Sequence, residues 1–195
     1  MANLYFITHP EVRIDPAVPV PEWTLSPRGQ ERMLRLLDQP WVSGLGAIWC
    51  STERKALDVA AIIADAIGAV PRTLPALGEN DRSATGYLPK AEFEATADAF
   101  FAHPTVSVRG WETAADAQTR IVAAIGTILS KAPTERDIAV VSHGGVGALL
   151  LCHLKAYPIS RTEDQPGNGG GNYYCFDQST YSLRHGWMPI DQVPS

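Results

Sequence analysis

The chain has 195 residues, 45% of them hydrophobic and 19% charged, and a formal charge of −5. That length suits one ordinary domain with a sizeable core, and that balance excludes wholesale disorder. The acidic excess argues against nucleic acid or an anionic membrane as partner, while leaving room for a local cationic pocket that holds a small anion.

An apolar run begins almost at once. Residues 4–7 (LYFI) predict a short buried strand that stops at Thr8, His9 and Pro10. Residues 11–22 carry Pro16, Pro19 and Pro21 and predict a surface loop. A helix start follows, with Ser26 as cap and Pro27 in the first turn. Met33, Leu34, Leu36 and Leu37 are its expected apolar face, and Pro40 ends it. Residues 45–50 (LGAIWC) predict a second strand. Ser51 and Thr52 then lead into a helix whose Ala56, Val59, Ala60, Ile63 and Ile67 keep helical spacing, with Gly68 as its stop. Residues 71–88 show little periodicity.

Helices are expected over residues 90–103, with Phe93, Ala97, Phe100 and Phe101 inward, and over 112–130, with Ala115, Ile121, Ala124, Ile125 and Ile128 inward. Residues 138–141 form the most strand-like run of the chain. The Ser142–His143–Gly144–Gly145 turn carries it into a helix over 146–154. The PGNGGGN segment at 166–172 reads as a flexible loop, and residues 173–176 and 182–187 as further strands. Strands alternating with helices imply a three-layer α/β/α fold with a mostly parallel central sheet, in one domain spanning 1–195. A lid or specificity insertion is expected around 76–112, between the second and third core strands.

The three cysteines, Cys50, Cys152 and Cys175, lie far apart in apolar contexts and read as reduced, buried thiols. The first residues lack a basic start followed by an apolar segment and cleavage site, and no run approaches membrane-spanning length. A cytoplasmic protein is expected.

In open α/β sheets ligands bind beyond the carboxyl ends of the strands. His9, the segment from Ser51 to Lys55, and His143 all fall at such ends. Two histidines, the basic pair Arg54–Lys55 and a Gly-Gly turn opening a helix suit an anion, most simply phosphate. A neutral imidazole can attack phosphorus and store the phosphoryl group, while cationic donors stabilise the oxygens in transit. The leaving oxygen then needs a proton from a nearby acid, which can afterwards activate water.

FITHPE near the start, LSPRGQ at 25–30, CSTERKA at 50–56, LGE at 77–79 and VSHGG at 141–145 occur in an order that resembles the histidine phosphatase superfamily, in its phosphoglycerate-mutase-like branch. The resemblance implies a phosphoglycerate mutase-like fold and a metal-independent phosphoric monoester hydrolase with no cofactor. His9 would then be the phosphorylated nucleophile, His143 the second pocket histidine, and Glu79 the proton donor. Lys55 falls where the family has its second arginine, beside Arg54. The glycines after His143, Gly144 first, would shape the pocket wall.

The family opens with Arg-His-Gly, and this chain has Thr8-His9-Pro10. Threonine offers one hydroxyl but neither charge nor fork, and Pro10 removes a backbone N–H. Arg13, Arg54 and Arg82 are the candidates to restore the charge. The expected partner is a small phosphorylated substrate, with neither nucleic acid nor membrane, and a homodimer remains open. The alternatives to a phosphatase are a weakened or inactive phosphate-binding or regulatory module of the same fold, or a phosphomutase.

Overall fold

Side chains that alternate across the first strand divide the interior into two cores. In the computed structural model, which describes residues 2–131 and 135–192, β1 (Asn3–Thr8) sends Leu4 and Phe6 to one face of the sheet and Tyr5 and Ile7 to the other. All four are buried, so an apolar run without polar gaps is the sequence of a strand covered on both sides.

The helices and the other strands follow in chain order as α1 (Pro27–Leu36), β2 (Leu45–Cys50), α2 (Arg54–Ile67), β3 (Arg72–Thr73), α3 (Lys90–Ala102), α4 (Ala114–Lys131), β4 (Asp137–Ser142), α5 (Gly144–Leu154), β5 (Asn172–Asp177) and β6 (Leu183–Pro189). The sheet order is β3-β2-β4-β1-β5-β6. The pairings β3–β2, β2–β4 and β4–β1 are parallel, whereas β1–β5 and β5–β6 are antiparallel. Helices α1 and α2 pack on the face carrying Tyr5 and Ile7; α3, α4 and α5 pack on the face carrying Leu4 and Phe6. This is the three-layer α/β/α architecture, with a mixed sheet whose first four strands are parallel.

Local chemistry explains the helix ends. The Ser26 hydroxyl accepts from the Gly29 N–H at 3.0 Å and Pro27 occupies the first turn of α1, as the sequence predicts. Gly68 closes α2 at φ +65°, which a residue with a side chain adopts only at a cost. The inward face of α1 differs from expectation. Leu34 is 59% exposed, and the buried positions are Gly29, Arg32, Met33 and Leu36.

Arg32 explains why a charge is tolerated there. Its guanidinium donates to Glu11 Oε2 at 2.9 Å, to Asp191 through two nitrogens, and to the carbonyls of Asn168, Gly170 and Gly171. It thereby ties α1 to the loop after β1 and to the PGNGGGN segment, which is a pinned loop. Gly169, Gly170 and Gly171 all take positive φ, and the Gly171 N–H donates to the His9 carbonyl at 2.9 Å. A Cβ on Gly170 would sit 2.5 Å from that same carbonyl. Three glycines in a row are therefore required by a backbone that turns left-handed against the end of β1.

No helix among the described residues is long and apolar enough to cross a membrane. Cys50, Cys152 and Cys175 are buried and free.

Candidate active site

Register decides the site. Thr8 pairs with Ser142 across β1 and β4, so the next residue of each strand, His9 and His143, emerges at the same edge. Their ring centroids are 5.3 Å apart, edge to face. Cys50 pairs with Val141 across β2 and β4, and the Ser51 N–H donates to the Val141 carbonyl at 3.0 Å. Ser51 thus joins the histidines. Three strand ends distant in sequence meet because parallel neighbours share one carboxyl edge.

His9 is half-buried. Its Nδ1 lies 2.9 Å from the Pro10 carbonyl. A carbonyl only accepts, so Nδ1 carries the proton and Nε2 keeps its lone pair. Burial, then the nearby His143 ring and Lys55 ammonium, push its pKa well below the ordinary imidazole value. The ring is neutral at physiological pH, with a nucleophilic Nε2.

His143 is completely buried, and its Nε2 lies 2.9 Å from Ser51 Oγ and 3.2 Å from Glu53 Oε1. An ionised carboxylate only accepts, which assigns the proton of the neutral ring to Nε2. Nδ1 is then a buried acceptor without a hydrogen-bond partner among the described residues. Burial pushes this ring down to about 4, against the opposing pull of Glu53 and Glu79.

Glu53 is the hub of the polar floor. Beyond His143 it accepts from Lys55 Nζ at 2.5 Å and from the Glu79 N–H at 3.0 Å. Burial alone would raise its carboxyl; His143, Lys55 and that N–H outweigh burial and hold it below the usual carboxylate range. Lys55 is itself buried and donates also to the Val20 carbonyl at 3.0 Å.

Glu79 caps α5 from outside the helix. Its two oxygens accept from the Gly145 N–H and the Val146 N–H, each at 3.0 Å. Burial raises its carboxyl, but Arg82, His143 and the Gly145 N–H lower it by more, so it is ionised at rest. Gly145 must be glycine for this approach, since a Cβ there would come within 2.7 Å of Glu79 Oε1. Arg120 fixes the backbone that presents Glu79 by donating to the carbonyls of Ala76, Gly78 and Glu79, and is held by Glu112.

Of these groups His9, Glu53, Lys55 and Glu79 line a cleft of about 780 Å³, whose walls come from residues 12–23 and 79–93. The chain matches the family profile described as "Histidine phosphatase superfamily (branch 1)" over residues 7–185. The chain belongs to the histidine phosphatase superfamily.

Solved structures agree on the fold. The protein YhfR of Bacillus stearothermophilus aligns at 20% identity and TM-score 0.79, covering 100% of this chain and 98% of that one. A mycobacterial glucosyl-3-phosphoglycerate phosphatase in complex with inorganic phosphate aligns at 20% identity and TM-score 0.76, covering 99% and 98%. A mutant phosphoserine phosphatase of Entamoeba histolytica, in complex with phosphoserine, aligns at 16% identity and TM-score 0.75, covering 95% and 96%. No curated protein is similar enough to be matched.

Within this histidine phosphatase fold His9, Lys55 and Glu79 line the cleft, and His143 lies against His9 behind it. Several expectations need correction. Arg13 is exposed and does not line the cleft, although its neighbours Val12 and Ile14 do; its N–H donates to the Thr24 carbonyl. Arg54 is absent from the lining too: its guanidinium turns along α2 to Asp58 at 2.8 Å and is 63% exposed. Thr8 is fully buried and does not line the cleft. Its hydroxyl donates to Gln165 Oε1 at 2.7 Å and accepts from the Asn172 N–H at 3.0 Å. Gly144 is covered by that same glutamine, whose Nε2 would lie 2.2 Å from a Cβ at this position.

Arg82 is the one arginine among the described cleft residues. Its guanidinium carbon stands over the Phe93 ring at 5.1 Å and the Trp111 ring at 5.5 Å. The 166–172 loop, which reads as flexible in the sequence, is held against the His9 carbonyl by the Gly171 N–H and by Arg32. Glu53 and Gln165 were missed. Glu53 had a faint signal, an acid beside two basic residues directly after a strand end; Gln165 had none. Among the described residues no group of His, Cys, Asp and Glu is arranged to hold a metal ion.

Depressed histidines make the fold acid-sensitive in a defined window. His9 and His143 have folded pKa values below the unfolded value of 6.5. As pH falls through 6.5 the unfolded chain takes up protons that the folded chain refuses. Stability is therefore complete above about pH 6.5 and declines toward pH 4. The thermal midpoint is expected to fall steadily from pH 7 to pH 4.5, with a shallower slope in His143→Asn; a flat wild-type profile would contradict the neutral assignment of both rings.

Proposed function

We propose that the chain is a phosphatase that hydrolyses a small phosphomonoester through a phosphohistidine on His9. The observation that carries this reading is the His9 tautomer. The Nδ1–H is held by the Pro10 carbonyl and Nε2 is free in a neutral ring at the floor of a cleft. In the first half-reaction the Nε2–phosphorus bond forms as the ester oxygen–phosphorus bond breaks, and the leaving oxygen takes the proton carried by the ester monoanion. In the second, water attacks phosphorus, the nitrogen–phosphorus bond breaks, and Glu79 accepts the proton of the water. The ionised resting state of Glu79 supports the base half of its expected role. No metal is required by these steps.

Arg82 replaces the charge that Thr8 lacks, since neither Arg13 nor Arg54 lines the cleft. Arg82→Ala should lower kcat/KM by about 10²-fold, the usual cost of losing one transition-state donor, with Arg82→Lys in between. An unchanged kcat/KM in the alanine variant would remove Arg82 from phosphate binding. The reading itself is tested by rapid acid or base quench of the enzyme mixed with a phosphomonoester. A base-stable, acid-labile phosphoryl group on His9 is expected, and turnover without one would overturn the assignment.

One observation favours a second reading, a phosphate-binding module with little turnover. Lys55 Nζ, His143 Nε2 and the Glu79 N–H, all natural donors to a phosphoryl group, already converge on the Glu53 carboxylate. Measurable binding of inorganic phosphate with no hydrolysis across a panel of phosphomonoesters would select it.

A further inference from the structure

The polar floor around His9 accounts for only part of the cleft lining. Beside polar groups such as Asn80, Ser83 and Lys90, the rest of the lining includes Val12, Ile14, Val20, Trp23, Tyr87 and Leu88, with Pro19 and Pro21 stiffening the wall between them. The Trp23 and Tyr87 rings meet at 5.6 Å with a 57° tilt and form a corner. Trp23 cannot swing away, because its Nε1 donates to the carbonyls of Asp15 and Val18, each at 3.0 Å. Ile14 is 59% exposed and Tyr87 39% exposed, so two large apolar side chains stand in water at the mouth of the cleft. Isolated apolar side chains on a surface need no explanation, but these two border one concavity that continues to His9.

Size points the same way. A volume of about 780 Å³ is that of a pocket for a drug-sized ligand. A phosphoryl group with a short polar handle would leave most of it filled with water against aromatic and proline surfaces. Charge adds a further constraint. Glu53, Glu79 and Asp81 face Lys55, Arg82 and Lys90 in the lining, so the cleft offers no excess of positive charge beyond what one phosphoryl group needs. Lys55 is taken up by Glu53 and Arg82 by the phosphoryl group, so a second anionic group on the substrate would find only the exposed Lys90 in the lining, whereas an apolar group would find a wall.

We infer that the substrate is a phosphomonoester whose alcohol carries a bulky, ring-bearing apolar group, seated between Trp23, Tyr87 and Ile14 while the phosphoryl group reaches His9. This rests on the phosphatase reading for the phosphoryl end only; the apolar seat stands on the geometry of the wall. Specificity is then set by residues 12–23 together with 79–93. Affinity comes largely from the apolar half, as in sites where a few polar groups only orient the ligand.

Rates on aryl and alkyl esters would be confounded by leaving-group acidity, so the test is binding. Calorimetry on the wild-type protein would compare 1-naphthylmethylphosphonate with methylphosphonate, neither hydrolysable, and with 1-naphthylmethanol, which has no phosphorus. The naphthyl phosphonate should bind at least about 10-fold tighter than methylphosphonate. Tyr87→Ala and Ile14→Asp, both at exposed positions, should each cut that preference several-fold and leave methylphosphonate binding unchanged. Equal affinities for the two phosphonates, or a preference intact in both variants, would overturn the inference. If neither phosphonate binds but the naphthyl alcohol does, and loses affinity in both variants, the apolar seat stands and the phosphatase reading fails. If the alcohol fails as well, the seat is overturned.

Discussion

His9→Ala is expected to abolish phosphomonoester turnover, by at least about 10³-fold in kcat, and to eliminate the trapped phosphoryl group. The fold should survive, because the ring is half-buried and makes one hydrogen bond, to the carbonyl of the next residue. The backbone there is held independently of the side chain, by the Gly171 N–H on the His9 carbonyl. Circular dichroism and the thermal midpoint should therefore match wild type while activity is lost. The size of the effect follows from the chemistry: without a nucleophile there is no covalent intermediate, and what remains is binding and whatever Glu79 can do for direct attack by water. A residual rate within tenfold of wild type, measured with and without chelator, would show that phosphorus is attacked by some other group.

Arg32→Ala should be strongly destabilising although it lies away from the cleft, costing about 3 kcal/mol. The guanidinium is buried and satisfies two carboxylates and three carbonyls at once. Removing it strands those acceptors. Breaking a buried pair from one side typically costs about 3–5 kcal/mol, and the lower end applies because Glu11 and Asp191 are each 22% exposed and regain some water. For a chain of this size that is a drop of roughly 6–12 °C in the unfolding midpoint. Arg32→Lys should recover only part, since a point charge cannot span contacts that radiate from a planar fork. The loss reaches the site as well, because the loop that Arg32 pins is the one resting on the His9 carbonyl. A midpoint shift below about 2 °C would mean that the five acceptors are adequately solvated without it.

Much of the architecture was legible from local pattern. Short apolar runs bounded by Pro10, Ser51 and His143 marked the three parallel strands that carry the site. The Ser26–Pro27 start and the Gly68 stop bounded two helices by chemistry that acts within one turn. The two-residue strand β3 was not legible, because two residues carry no period. The inward turn of Arg32 was equally hidden, since its partners Glu11, Gly170 and Asp191 lie as many as 159 residues away.

The candidate site divides along the same line. The amino-acid sequence by itself determined that two histidines and a glutamate-bearing loop belong to a histidine phosphatase fold, and that threonine and proline flank the first histidine. Those are statements about residue type and order, which a chain states outright. Only the tertiary structure decided which charges face the cleft. Thr8 turns inward to Gln165, Arg54 lies along its own helix on Asp58, Arg82 is stacked on two aromatic rings at the cleft, and Glu53 gathers Lys55, His143 and the Glu79 N–H. The reason is physical. A long polar side chain goes where the opposite charge and the least loss of hydration are found, and those partners are supplied by strand register and distant loops rather than by sequence neighbours.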